Sequence, residues 1–307
     1  MTPKITIAIP VYNRQDLISV AIESVLPQLG QDAELVIVDN NSTDRTYEVA
    51  QSYVASNVRV YRNDSNIGFT RNCIKCIECA NGEWLRFLMS DDIFLPGALD
   101  LMRKIMRSNP DVDILFSKGT NGDKIADRQH RQEVEIISAE EYNTLQRHWR
   151  YYRFPAMPNA YAIKTSRMKE MVIDELFLQI SKELEFGHCV DYLMLAYNAR
   201  KSKRIAIINI PTYRIAIHDQ EESFRYRNNI ALHLSGDYVV VSQMYAPSFF
   251  EKFYFYEHAL KIYRQKLKSC FKQSIQTMIF MSIDFFKVMA LIILSHLGIL
   301  SEKVYKS

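Results

Sequence analysis

Ile5-Thr6-Ile7-Ala8-Ile9-Pro10-Val11-Tyr12-Asn13-Arg14 runs apolar and β-prone, meets a proline, and turns polar at once. Residues 5–9 therefore read as a strand that ends in a loop. The same transition recurs along the chain. Residues 35–38 form a second strand that runs into Asp39-Asn40-Asn41-Ser42-Thr43-Asp44, and residues 58–61 a third that runs into Asn63-Asp64-Ser65-Asn66-Ile67-Gly68-Phe69-Thr70-Arg71-Asn72. Residues 84–89 are a fourth strand ending in Ser90-Asp91-Asp92, and residues 112–117 a fifth. Helical patterns separate them: 16–28, with Leu17, Val20, Ala21, Ser24 and Val25 on one face; a helix starting near Asp44, a natural N-cap; then 69–80 and 95–107. Strands alternating with helices predict an α/β fold with a parallel sheet and right-handed crossovers. Ligands of such sheets lie beyond the carboxyl ends of the strands. The polar segments converge there, on an edge rich in carboxylates and amides.

Composition agrees with a large folded chain. Of 307 residues, 48% are hydrophobic and 24% charged, which excludes a disordered chain, a small disulfide scaffold and a collagen-like repeat. Net charge is +3, divided as −2 over residues 1–110 and +5 over 111–307. No global basic field calls for nucleic acid. Five cysteines, an odd number, fit a reducing compartment, and the short apolar start interrupted by Pro10 does not read as a signal peptide, so a cytoplasmic location is expected.

Nine glycines form no Gly-x-Gly-x-x-Gly and no phosphate loop ending in Lys-Ser/Thr. His-Glu-x-x-His and Gly-x-Ser-x-Gly are missing as well, so dehydrogenase, P-loop kinase, zinc protease and α/β-hydrolase lose their usual support. Asp91-Asp92 after an apolar strand reads two ways, as a divalent-cation ligand that grips a diphosphate or as a cap for the helix after Pro96. Asp39 is either a ligand for a base or ribose, or a turn residue. Cys73-x-x-Cys76-x-x-Cys79 has a superficial iron–sulfur look, but it sits on a helix, lacks a fourth ligand, and reads as small core residues beside Ile74, Ile77 and Ala80.

The second part is less regular. Residues 118–135 read as a loop or small hairpin, 148–154 mix aromatics with cations, 183–199 look helical, and 204–210 form a strand leading to Pro211. Residues 218–229 read as a charged loop. Near the end, Lys261, Arg264, Lys266, Lys268 and Lys272 precede an apolar stretch whose longest uncharged run, 288–301, is 14 residues. A membrane span needs about 20 residues. The tail therefore reads as a helix lying on an anionic membrane surface, or one packed on the domain or a partner.

Taken together, Ile7-Ala8-Ile9-Pro10-Val11-Tyr12-Asn13-Arg14, Val36-Ile37-Val38-Asp39-Asn40-Asn41-Ser42-Thr43-Asp44, Asn66-Ile67-Gly68-Phe69 with Arg71-Asn72, and Gly82-Glu83-Trp84 leading to Asp91-Asp92 resemble the family 2 glycosyltransferases, in order and spacing. Within that family the chain looks most like bacterial O-antigen and exopolysaccharide enzymes, including an abequosyltransferase-like group. The resemblance implies a GT-A (Rossmann-like) fold, an inverting reaction, a nucleotide-diphosphate sugar donor with a pyrimidine base, a glycan acceptor (lipid-linked in this reading), and Mn²⁺ or Mg²⁺. It implies that Pro10, Tyr12 and Arg14 line the nucleotide pocket with Asn41, Asp44, Asn66, Gly68 and Ser90. Asp39 would read the base, Arg71 would approach the base or phosphates, Asp91 would ligate the metal, and Asp92 would face the donor sugar.

Two departures from the family pattern stand out. Met89 replaces the first Asp of the Asp-x-Asp signature, and Val190 replaces a Glu before Asp191. The resemblance makes Asp191 the base that deprotonates the acceptor, with Glu185 its rival. Arg214 and His218 resemble a late segment that closes over the diphosphate, although a strand-end arginine and a surface histidine are common. The expected organisation is a glycosyltransferase domain over 1–225 (nucleotide half 1–117, acceptor half 118–225) and a helical, basic and amphipathic segment over 226–307. The alternative function is a catalytically silent nucleotide-sugar-binding or scaffold protein, motivated by Met89 and Val190.

Overall fold

The computed structural model describes residues 5–120, 133–147, 158–175, 177–178 and 190–215. The expected tail, 226–307, and the aromatic-cationic stretch at 148–154 lie outside them, as do His218 and Glu185. The nine described strands are β1 (Ile5–Val11), β2 (Ala33–Asp39), β3 (Val58–Arg62), β4 (Trp84–Phe87), β5 (Ile93–Phe94), β6 (Val112–Thr120), β7 (Val134–Ser138), β8 (Tyr161–Lys164) and β9 (Arg204–Arg214). The helices are α1 (Ile18–Val25), α2 (Thr46–Gln51), α3 (Phe69–Cys79), α4 (Ala98–Ser108), α5 (Ala139–Arg147), α6 (Thr165–Val172) and α7 (Val190–Lys201).

The strands make one sheet in the order β3-β2-β1-β4-β8-β6-β9-β5, with β7 also paired to β9. The first four are parallel, as their alternation with helices predicts. All seven residues of β1 are buried because helices cover both faces, which is why it reads as an unbroken apolar run. Ile5, Ile7, Ile9 and Val11 pack with Ile18, Ile22, Leu99 and Met102 on one face. Ala8, Val36 and Val38 pack with Cys73, Cys76, Ile77, Met168 and Leu193 on the other. Each fully buried Ile or Leu contributes roughly 1.5–3 kcal/mol.

Four expectations are corrected. The sheet is mixed, because β8 lies between β4 and β6 and is antiparallel to both. Residues 118–135 are neither all loop nor, among the described residues, a hairpin: β6 runs on to Thr120, and β7 begins at Val134 and pairs with β9 rather than β6. The strand from Arg204 does not stop before Pro211 but continues to Arg214. Pro211 is tolerated because β7 pairs with β9 only as far as Ile208, while β5 takes over at Tyr213. Finally, the buried face of the first helix carries Ile18, Ala21, Ile22 and Val25, and Val20 is half exposed. Among the described residues, no helix is long and apolar enough to cross a membrane.

Candidate functional site

The parallel register brings the first two loops together. Val11 is level with Asp39, and Asp39 with Arg62. Beyond these ends the loops after β1 and β2 are joined by side chains. The Asn13 N–H donates to Ser42 Oγ at 2.9 Å, Arg14 N–H to Thr46 Oγ1 at 2.7 Å and Gln15 N–H to an Asp44 oxygen at 3.3 Å. In return Thr43 N–H donates to Asn13 Oδ1 at 2.9 Å. Asn13 and Asn41 hold left-handed backbones (φ 50° and 60°), which asparagine accepts more readily than most residues. Tyr12 and Arg14 are half-buried on this joined edge, and Pro10 is buried within β1.

Asp39 is fully buried. Its carboxylate accepts from the Ser42 N–H at 3.1 Å and from the Ser42 hydroxyl, and lies 3.4 Å from Arg62 Nε. Arg62 also donates to Ser42 O at 2.9 Å and lies 4.8 Å over the Tyr47 ring. Arg62 therefore straps the loop that carries Asp39 and Asn41. Sequence reasoning missed it, because the pairing of Arg62 with Asp39 exists only through the β2–β3 register.

An asparagine network shapes the next loop. Asn63 Nδ2 donates to Asn40 Oδ1 (3.0 Å) and Asn72 Oδ1 (2.9 Å), and Asn72 Nδ2 donates to Val38 O at 3.0 Å. Asn40 Nδ2 reaches Asn66 Oδ1 at 2.8 Å, which also accepts the Gly68 N–H at 3.0 Å. Gly68, at φ 82°, starts α3 and leaves Arg71 exposed on its first turn. Lower down α3, Cys73 and Cys76 are buried in the core and Cys79 is half-buried, so packing fills these positions. Burial pushes the Cys73 and Cys76 thiols well up.

Residues 89–92 form a turn closed by the Asp92 N–H donating to Met89 O at 3.0 Å. Ser90 is buried within it and Asp91 is partly exposed. Asp92 is 3% exposed, and its carboxylate accepts from Asn159 Nδ2. Asn159, fully buried in the one-turn 3₁₀ helix Pro158–Ala160, also accepts the Met89 N–H on Oδ1 at 2.7 Å. Beneath it lies Arg86, 2% exposed, which donates through Nη2 to Asn159 O (2.7 Å), Thr212 Oγ1 (2.6 Å) and Ser117 Oγ (3.0 Å). The Arg86 guanidinium also lies 4.8 Å over the Phe94 ring and 5.7 Å over Tyr213. Burial pushes Arg86 down to about 10 and Tyr213 up to about 12. Asn159 carries no local signal: a single Asn before a short strand reads as a turn residue.

The second part of the chain adds two of its expected residues. Arg214 pairs with Ile93, directly after the 89–92 turn. Asp191 opens the first turn of α7, half-buried, with its Oδ1 accepting the Tyr192 N–H at 2.9 Å. Its carbonyl accepts the Tyr161 hydroxyl at 2.9 Å. Burial first, then the Asp191 charge, pushes the Tyr161 hydroxyl well up, so it stays a donor.

A family model for glycosyl transferase family 2 matches residues 6–168, more than half of the chain. The chain belongs to that family. Among curated relatives, the GalNAc(5)-diNAcBac-PP-undecaprenol beta-1,3-glucosyltransferase of Campylobacter jejuni is 37% identical over 106 residues, covering 33% of this chain and 34% of its own length. The poly(ribitol-phosphate) beta-glucosyltransferase of Bacillus spizizenii is 35% identical over 127 residues, covering 39% of this chain and 20% of its own. The chain thus spans well under half the length of these relatives. Among solved structures, S. aureus TarS 1-349 in complex with UDP-GlcNAc superposes with a TM-score of 0.66 at 17% identity, covering 93% of this chain and 81% of that one. That likeness supports the GT-A-like α/β fold.

Proposed function

We propose that this family 2 chain moves a sugar from a nucleotide-diphosphate donor to a glycan hydroxyl, with inversion at the anomeric carbon. The observation behind this reading is the position of the 89–92 turn, between the Arg214 end of β9 and the segment that leads through Tyr161 to Asp191. The joined loops after β1 and β2, with Tyr12, Arg14, Asp39, Asn41 and Asp44, would take the nucleoside. Asn66, Gly68 and Arg71 border it, while Ser90, Asp92 and Arg214 would lie toward the diphosphate and sugar. The UDP and UDP-GlcNAc complexes of TarS support a pyrimidine nucleotide.

Among the described residues, no group of three or more His, Cys, Asp or Glu side chains is arranged to hold a metal. Asp91 offers one partly exposed, hard oxygen donor. That fits Mg²⁺ or Mn²⁺, which are commonly held by one or two carboxylates with the rest of the shell from substrate phosphates and water. Such an ion, when bound, supplies charge stabilisation to the departing diphosphate. Asp191 would accept the acceptor hydroxyl's proton. The oxygen forms its bond to the anomeric carbon as the bond to the diphosphate oxygen breaks on the opposite face. The dipole at the start of α7 favours the negative carboxylate.

The undecaprenol-linked and ribitol-phosphate acceptors in the relatives' names support a lipid-linked or polyol-phosphate glycan in surface polysaccharide synthesis, of which O-antigen is one case. The basic-then-apolar tail supports peripheral attachment to the cytoplasmic membrane face. In a sedimentation assay with anionic vesicles, exchanging Lys261, Arg264, Lys266 and Lys268 for glutamate should release the protein. Undiminished binding would remove the membrane part.

Met89 and Val190 favour a second reading, a silent nucleotide-sugar binder. A single-turnover assay with UDP-sugars and a polyprenyl-diphosphate glycan decides between them. Sugar transfer that falls about 10²–10⁴-fold in Asp191→Asn supports the transferase. No transfer by the wild-type protein from any donor it binds supports the silent reading.

A further inference from the structure

Four consecutive residues, Pro158-Asn159-Ala160-Tyr161, touch both sides of the proposed reaction. At one end, the Asn159 side chain grips the two ends of the 89–92 turn: Nδ2 donates to the Asp92 carboxylate, and Oδ1 accepts the Met89 N–H at 2.7 Å. At the other, the Tyr161 hydroxyl donates to the Asp191 carbonyl at 2.9 Å. Both residues are held rigidly. Asn159 is fully buried and its carbonyl accepts Arg86 Nη2 at 2.7 Å. Tyr161 is 1% exposed, begins β8 opposite Phe116, and packs edge-on against the Phe116 ring at 6.2 Å between centroids.

From this we infer that Asn159 and Tyr161 form a brace that fixes the leaving-group side of the site relative to the base. The inference rests on the roles proposed above for Asp91 and Asp191. Asn159 ties Asp92 and the Met89 N–H together, and so fixes the turn that carries Asp91. Tyr161 fixes the first turn of α7, and with it the direction from which Asp191 meets the acceptor hydroxyl. Neither residue touches a reacting atom, so both are positioning residues, and they act on different steps. Small errors in such positions are costly, because a misplacement of about 1 Å can cost about 10²-fold in rate.

The test separates the two ends. Mn²⁺ affinity in the presence of UDP is measured without acceptor, by the electron paramagnetic resonance signal of bound Mn²⁺, and transfer is measured separately as kcat and KM. Asn159→Ala should weaken Mn²⁺ about 10–100-fold, the range for partners that orient a metal ligand. Asn159→Ser serves as the second variant if alanine does not fold. Tyr161→Phe should leave the Mn²⁺–UDP affinity within about twofold and the donor KM unchanged, while kcat falls at least about 10-fold. A purely structural role would lower thermal stability in both variants without this split. The brace is overturned if a folded Asn159 variant binds Mn²⁺ as the wild type does, or if Tyr161→Phe keeps full kcat. If Asp91→Ala also retains Mn²⁺ in the presence of UDP, the proposed metal role of Asp91 falls and takes the Asn159 end of the brace with it.

Discussion

Asp44 uses its carboxylate inside the protein, accepting the Thr46 N–H at 2.9 Å, the Thr46 hydroxyl and the Gln15 N–H at 3.3 Å. Burial raises its pKa, but these hydrogen bonds outweigh burial and leave it below the ordinary 3.8. Arg45, not Asp44 as its residue type suggests, is the N-cap of α2; losing hydrogen bonds of this kind costs about 1 kcal/mol, so Asp44→Ala should melt measurably below the wild type at pH 7. Because the folded value is the lower one, this stability is fully present above about pH 4 and fades as pH falls through the folded value. Melting curves of both proteins from pH 7 to pH 2 should therefore converge at the acid end. A gap that stays constant would show that Asp44 contributes through packing alone. The Asp39 carboxylate is likewise engaged inside the protein, by the Ser42 N–H and hydroxyl and by Arg62, so this loop is set before any nucleotide arrives.

At the scale of elements, Gly82 links α3 to β4 by passing directly over β1. A Cβ there would lie 2.5 Å from Thr6 N and 2.7 Å from Ile5 C, and neither backbone can yield while the Gly82 N–H holds Thr6 Oγ1 at 2.8 Å. Gly82→Ala should cost about 1–3 kcal/mol, seen as a drop of several degrees in melting temperature. An unchanged melting temperature would mean that the α3–β4 link is free to shift. The parallel half of the sheet was legible because β1, β2 and β4 are buried on both faces and so read as apolar runs. β8 was not legible. It is four residues long, has no period of its own, and owes its place between β4 and β6 to partners far away in sequence. Val20 was misplaced because Ile18, Ala21, Ile22 and Val25 satisfy helical spacing as well as the expected set does.

Over the whole molecule, Arg86 ties the parallel half of the sheet to the mixed half. From β4 it reaches Ser117 on β6, Asn159 before β8 and Thr212 on β9. The place of Asp91 just after a strand was legible from the strand pattern, and that of Asp191 at the head of a helix only through the family resemblance. Asn159, Tyr161, Arg62 and Arg86 were not, since their partners are brought close only by the fold. The edge carrying Asp91 is proposed to bind a nucleoside diphosphate together with a divalent cation. The direct measurement is the thermal shift of the wild type and Asp91→Ala with UDP, GDP, CDP and dTDP, each with and without Mn²⁺. A ligand at about 100 times its dissociation constant adds about 2.7 kcal/mol. One nucleotide should raise the melting temperature of the wild type only with Mn²⁺, and Asp91→Ala should abolish the shift. No shift with any of the four, or an equal shift in Asp91→Ala, would contradict it.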